Sequence, residues 1–239
     1  MLLSNLLLLM AALLPPSLEQ ENSTVLNLSE EQKEEIIEKM NNFRRGVQPT
    51  ARNMLKMTWS EKAAESAKNW ASECIARSSP LKQRYVDGIL CGESLSQSNF
   101  ERSWSKVIEH WYNSGATFKY GHNEFGKEKD YLGYTQMVWY NSHEVGCAFV
   151  RCPELKSSYF YMCRFCPLGN IEETLATPYK EGPSCGDCPD NCEDRLCTNP
   201  CKYANSSPDC EELLEYFNCD QSLTQETCEA SCKCKTEII

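Results

Sequence analysis

Only three histidines, His110, His122 and His143, occur in the 239 residues, and that scarcity narrows the chemistry before any motif is sought. Acid–base catalysis needs a positioned base, and a Ser or Cys nucleophile needs one beside it. His110 sits among tryptophans in a helical pattern, while His122 and His143 fall in turn-rich stretches, and none belongs to a recognisable catalytic motif. The chain also lacks a Gly-rich phosphate loop, a Gly-x-Ser-x-Gly elbow and a His-Glu-x-x-His pair. Carboxylates are plentiful, but no spacing pairs two of them. Basic residues are in deficit, 24 Lys plus Arg against 34 Asp plus Glu, which argues against nucleic acid or an anionic bilayer as partner. No apolar run approaches the roughly 20 residues that a membrane-spanning helix needs. A binding protein, and not an enzyme, is the expectation these absences leave.

What is present begins with a short uncharged apolar run over residues 6–14, followed by Pro15, Pro16 and Ser17. It fits a secretory signal peptide over residues 1–19, although its first residues carry no Lys or Arg. Asn22, Asn27 and Asn205 each open an Asn-x-Ser/Thr acceptor pattern for N-glycosylation, in keeping with a secreted, extracellular chain.

Sixteen cysteines dominate the rest. Six are spread thinly (Cys74, Cys91, Cys147, Cys152, Cys163, Cys166), and ten crowd the stretch from Cys185 to Cys234 (also Cys188, Cys192, Cys197, Cys201, Cys210, Cys219, Cys228, Cys232). So short a C-terminal segment buries too little apolar surface to offset its chain entropy, and disulfides are the usual remedy. From Cys185 to Ile239 there are twelve acidic residues against four basic ones, −8 of the total −10. Cys163-x2-Cys166 and Cys185-x2-Cys188 together have the spacing of a four-cysteine zinc site. An oxidising compartment favours disulfides for all sixteen, with a pairing that spacing alone does not fix.

Three helices are expected. Ser29 with Gln32 forms a capping box opening a helix to Arg45, with Ile36, Ile37, Met40 and Phe43 at helical spacing. Ser60 caps a second helix along Ala63, Ala67, Trp70 and Ala71, and Trp104, Val107, Ile108 and Trp111 mark a third. Residues 134–140, 144–151 and 158–165, rich in β-branched and aromatic side chains, read as strands. Residues 169–186, with Pro178 and Pro183, read as a linker. The fold class is α+β.

Several segments carry a resemblance. Tyr134-Thr135-Gln136-Met137-Val138-Trp139 and the stretch from Phe160 to Asn170 resemble the two signature segments of the CAP superfamily, and Cys91-Gly92-Glu93-Ser94-Leu95 resembles its Cys-Gly-Glu-Asn-Leu segment. The Leu196 to Cys201 stretch and the ten-cysteine spacing resemble the cysteine-rich secretory protein branch, closest to mammalian reproductive-tract members. The resemblance implies an α-β-α sandwich CAP domain over residues 30–170 and a linker and disulfide hinge over 171–200. A small helical, toxin-like module would follow over 201–234. It implies the pairs Cys74–Cys152, Cys91–Cys166, Cys147–Cys163, Cys185–Cys192, Cys188–Cys197, Cys201–Cys234, Cys210–Cys228 and Cys219–Cys232. As partners it implies a cell-surface protein, on sperm or egg, or an ion channel; a venom or salivary channel modulator on the same scaffold is the alternative.

The departures from the family pattern carry as much. Many CAP domains gather two histidines and two glutamates in a cleft able to hold zinc. Here Glu93 remains, whereas the other three positions are Ser78, Ser114 and Gly133. One ligand in four is too few for zinc, so no metal, no cofactor and no catalytic residue is expected. His122 is the one residue that could stand in for a missing ligand. In channel-blocking toxins of the module's type a lysine enters the pore beside an aromatic residue, and by cysteine spacing those positions are Ser222 and Leu223.

Overall fold

The computed structural model describes residues 23–122, 130–207 and 209–239. The expected signal peptide and Asn22 lie outside the described residues.

The chain opens with β1 (Thr24–Leu26) and α1 (Glu30–Arg45), whose start is fixed by the expected box. The Ser29 hydroxyl accepts from the Gln32 amide and the Gln32 side chain accepts from the Ser29 amide. β2 (Thr58–Trp59) leads into α2 (Glu61–Ser72), capped by Ser60, whose hydroxyl accepts from the Ala63 amide. A small hairpin of β3 (Tyr85–Val86) and β4 (Ile89–Leu90) precedes β5 (Gly92–Ser98) and α3 (Trp104–Asn113). α4 (Leu132–Met137), β6 (Glu144–Arg151) and β7 (Tyr159–Cys166) complete the N-terminal domain.

The strands join in the order β1-β6-β7-β5, all antiparallel, with β2 added in parallel to β6. The sheet is covered on both faces. Val145, Cys147 and Phe149 with Tyr161, Cys163 and Phe165 face the layer of α1, α3 and α4, meeting Ile36, Met40, Trp104, Ile108 and Met137. Ala148, Val150, Phe160 and Met162 face α2, meeting Ala67, Trp70 and Ala71. Strands buried on both sides read as continuous apolar runs, which is why β6 and β7 were recognisable. The start of α2 rests on the sheet itself, since a Cβ at Gly146 would lie 1.9 Å from the Ala64 amide nitrogen.

One expected strand is a helix. Residues 134–140 form the last turns of α4 and a following turn. Tyr134 and Val138 pack on Val47, Met54 and Tyr179, Met137 packs on the sheet, and the polar Thr135 and Gln136 are buried between. With every direction buried, neither the helical period nor the alternating one shows in the sequence, and tertiary packing overrides local propensity.

Arg44 is fully buried and, among the described residues, hydrogen-bonds to no carboxylate. Its guanidinium donates to the carbonyls of Leu55, Met137, Trp139 and Tyr140 at 2.8–2.9 Å. Burial pushes its pKa down to about 9, so it remains charged at neutral pH.

The sulfurs join as Cys74–Cys152, Cys91–Cys166 and Cys147–Cys163 in the sheet domain, the last linking directly opposed residues of β6 and β7. Cys185–Cys192 and Cys188–Cys197 tie the hinge, which contains β8 (Cys192–Glu193) and β9 (Leu196–Cys197). Cys201–Cys234, Cys210–Cys228 and Cys219–Cys232 hold the module of α5 (Cys210–Tyr216), α6 (Ser222–Thr227) and α7 (Glu229–Lys233). The four cysteines of the apparent zinc quartet thus sit in four different bridges.

Residues 169–186 are no free tether. Leu175, Ala176 and Tyr179 are buried, and the hinge runs along residues 50–56. Arg52 N donates to Lys180 O, Gly182 N to Thr50 O, Asp187 N to Arg52 O and Cys197 N to Met54 O. Ion pairs Arg52–Asp187 at 2.5 Å, Arg45–Asp194 at 2.7 Å and Lys56–Glu193 at 2.5 Å line the joint. The chain's last residues return to it: Ile238 is buried against Leu55, Cys185, Cys188 and Cys197, and Tyr140 donates its hydroxyl proton to Ile239 O.

Two outcomes follow. Arg44→Met, which leaves the buried carbonyls of Leu55, Met137 and Trp139 without their donor, lowers unfolding free energy by about 3 kcal/mol or more in denaturant titration with the disulfides intact. The half-buried ring of His143 has its pKa lowered from 6.5, chiefly by burial. A base that resists protonation only when folded costs stability as pH falls below its unfolded pKa. His143→Gln therefore flattens the loss of thermal stability between about pH 7 and pH 5, read from melting curves.

Candidate functional site

Glu93 lies on β5 directly opposite Arg164 of β7, on the face covered by α2. Its side chain is 4% exposed, and both carboxylate oxygens are occupied. One oxygen accepts the Ser79 amide at 2.9 Å and pairs with Arg84 at 3.0 Å. The other accepts the Ser79 hydroxyl at 2.7 Å and a guanidinium nitrogen of Arg164. Arg164 is itself fully buried, and its Nε donates to Ser66 of α2. Burial lowers the Arg164 pKa, and the adjacent Glu93 charge opposes that shift. Arg84 also donates twice to Ser79 O, which closes the loop around the carboxylate. A carboxylate with four donors already placed has no lone pair directed at a ligand.

The remaining cleft positions do not join it. Ser78 is exposed next to the bonded Ser79. Ser114 uses its hydroxyl internally, donating to Trp111 O at 2.7 Å and accepting from Tyr134 N at 3.1 Å. A Cβ at Gly133 would lie 3.2 Å from that hydroxyl and 3.3 Å from Trp111 O, so a larger side chain there needs these neighbours to give by a few tenths of an ångström. His122 and His110 are exposed, and the Nδ1 of His143 sits 2.9 Å from Asn141 O. Among the described residues, the one group of three ligand-type side chains within metal-binding reach is Cys185, Cys188 and Cys197, and all three are oxidised in disulfides. The donor set does not fit zinc, which takes three or four N, S or O ligands at about 2.0–2.3 Å.

Aromatic side chains fill the region beside Ser114 and Gly133. Phe43 and Tyr112 stack at 3.8 Å, Tyr134 meets Tyr112 at 5.3 Å and Phe118 at 5.2 Å, and Tyr120 lies 5.0 Å from Tyr179. Burial pushes the Tyr134 hydroxyl up to about 12 and raises Tyr179 as well, so neither supplies a base at neutral pH. Sequence reasoning found Glu93 and missed Ser79, Arg84 and Arg164. The available signal was Arg164 itself, a cation inside an otherwise apolar strand, which requires a buried counter-charge.

Asn27 and Asn205 differ in their surroundings. Asn27 is exposed, whereas Asn205 donates its side-chain nitrogen to the Ser231 hydroxyl at 2.8 Å and accepts the Ser231 amide at 3.0 Å. A glycan on the Asn205 nitrogen would compete with the first of these bonds.

Comparisons with known proteins agree with this architecture. The model of the cysteine-rich secretory protein family, CAP, matches residues 37–165, and the Crisp model matches residues 185–239. Among solved structures, NaASP2 with Zn2+ is similar at a TM-score of 0.59 and 23% identity, covering 72% of this chain and 97% of that one. BmVAL-1 is similar at 0.59 and 24%, covering 72% and 96%. The hookworm platelet inhibitor is similar at 0.56 and 17%, covering 72% and 93%. At such identities the likeness concerns the fold, and the zinc belongs to that other protein. The chain belongs to the cysteine-rich secretory protein family, a CAP domain followed by a Crisp domain.

Proposed function

We propose that this chain is a secreted, non-enzymatic binding protein that coats a cell surface, that of sperm, and contributes to sperm maturation or interaction with the egg. The observation that carries the non-enzymatic part is the occupied Glu93 carboxylate, held by Ser79, Arg84 and Arg164 with no histidine beside it. Such a site offers neither a free base nor a set of ligands for a metal that would activate water. The eight disulfides support the extracellular part, since such bonds persist in oxidising compartments. No helix among the described residues is long and apolar enough to cross a membrane. The reproductive-tract assignment rests on the resemblance of the cysteine framework and hinge to the mammalian members.

Modulation of an ion channel is the second reading, favoured by one feature of the module. Leu223 is 74% exposed at the site where toxin-like modules place their aromatic neighbour of the pore lysine. With Ser222 in place of that lysine the mode would be docking on a channel surface, without entry into a pore that attracts cations.

The mature glycosylated chain captures specific proteins from sperm membranes in a pull-down; absence of any specific surface binding overturns the first reading. Zinc titrated by calorimetry gives no stoichiometric heat, and Glu93→Gln lowers unfolding free energy by about 3 kcal/mol by leaving Arg164 buried without its counter-charge. Stoichiometric zinc binding that disappears in Glu93→Gln would sink the non-metal assignment.

A further inference from the structure

One stretch of the Crisp domain differs in composition from the rest of the chain. Residues 209–229 contain seven carboxylates and no Lys or Arg. Within the same stretch Tyr216 is 73% exposed, Leu223 74% and Phe217 47%. These are three of the ten large apolar side chains that stand exposed among the described residues, and they fall within eight consecutive positions. They sit where α5 ends and α6 begins, a corner closed by Cys210–Cys228 and Cys219–Cys232.

The domain's own cations are elsewhere. Lys202 and Lys233 stand over the Tyr203 ring at 5.2 and 4.4 Å, beside Pro200, Cys234 and Glu237 near the returning tail. Glu229 is paired with Lys233 at 2.5 Å, but Glu212, Glu215, Asp220 and Glu226 have no ion pair among the described residues. Exposed aromatic and aliphatic groups rimmed by charge of one sign are the composition of a recognition patch. The disulfides hold it in place beforehand, which reduces the ordering cost of binding.

We propose that the Tyr216–Phe217–Leu223 corner docks a cationic segment of a protein partner, one in which Lys or Arg alternates with apolar side chains. The apolar groups of the partner cover the three exposed side chains, and its cations meet the unpaired carboxylates. A second copy of this chain is a poor occupant, because two such corners bring like charges together. An anionic bilayer is a poor one for the same reason. The inference supplies a contact surface for the binding reading and rests on it only for the partner's location on a cell.

The test uses the full mature chain and a fluorescent amphipathic Lys/Leu peptide, with a Glu/Leu peptide of the same design as control. The Lys/Leu peptide binds, binding weakens as salt is raised, and the Glu/Leu peptide does not bind. Affinity drops by about tenfold or more in Tyr216→Ser/Leu223→Ser and in Glu212→Gln/Glu215→Gln. Near-UV circular dichroism matching the parent chain shows that these surface variants are folded. Unchanged affinity in the Tyr216→Ser/Leu223→Ser variant overturns the proposal. Attachment to phosphatidylcholine vesicles without peptide binding also overturns it, by making the corner a lipid contact. Peptide binding without cell binding removes the sperm-surface reading and leaves this one standing; cell binding unaffected by the variants does the reverse.

Discussion

A single guanidinium holds three parts of this molecule to one another. Arg44, at the end of α1, donates to the carbonyls of Leu55, Met137, Trp139 and Tyr140. Removing a charge from water costs several kcal/mol, and here backbone dipoles compensate in place of an opposite charge. The residues so held carry the hinge in turn. Leu55 N donates to Tyr140 O, Met54 O accepts from Cys197 N, and the Tyr140 amide donates to Pro178 O. The docking of the Crisp domain thus inherits its position from a side chain deep in the other domain.

Much of this was legible in the sequence, for reasons that can be given residue by residue. α1 and α3 each bury one stripe and expose the other, so Ile36, Met40, Trp104 and Trp111 show the helical period. β6 and β7 are covered on both faces and show as apolar runs. Residues 134–139, in α4 and the turn after it, are all buried, so the helicity there left no periodic trace. The contacts of the hinge are largely backbone to backbone, and such bonds carry no side-chain signature. The partners of Glu93 were hidden for another reason: the register that sets Arg164 opposite it is decided by how β5 meets β7, across 71 residues.

In the cleft, side chains are committed to one another and to packing. Ser114 and Gly133 close on each other, and an aromatic group from Phe43 to Tyr179 packs beside them. Glu93 remains, but as the anion that makes Arg164 tolerable under α2. It serves as a counter-charge within the sheet layer. What is left exposed and chemically distinctive lies at the other end of the chain, on the acidic corner of α5 and α6.

The return of the C-terminal residues to the joint has a mechanical meaning. Ile238 accepts from Cys201 and donates to Asn199, its side chain is buried against the hinge, and Ile239 takes the Tyr140 hydroxyl. The Crisp domain is therefore fastened at both of its ends, by its entry strand and by its returning tail. Turning the module about the entry strand would have to break the tail's bonds to Asn199, Cys201 and Tyr140 as well, so the two attachments give way together or not at all.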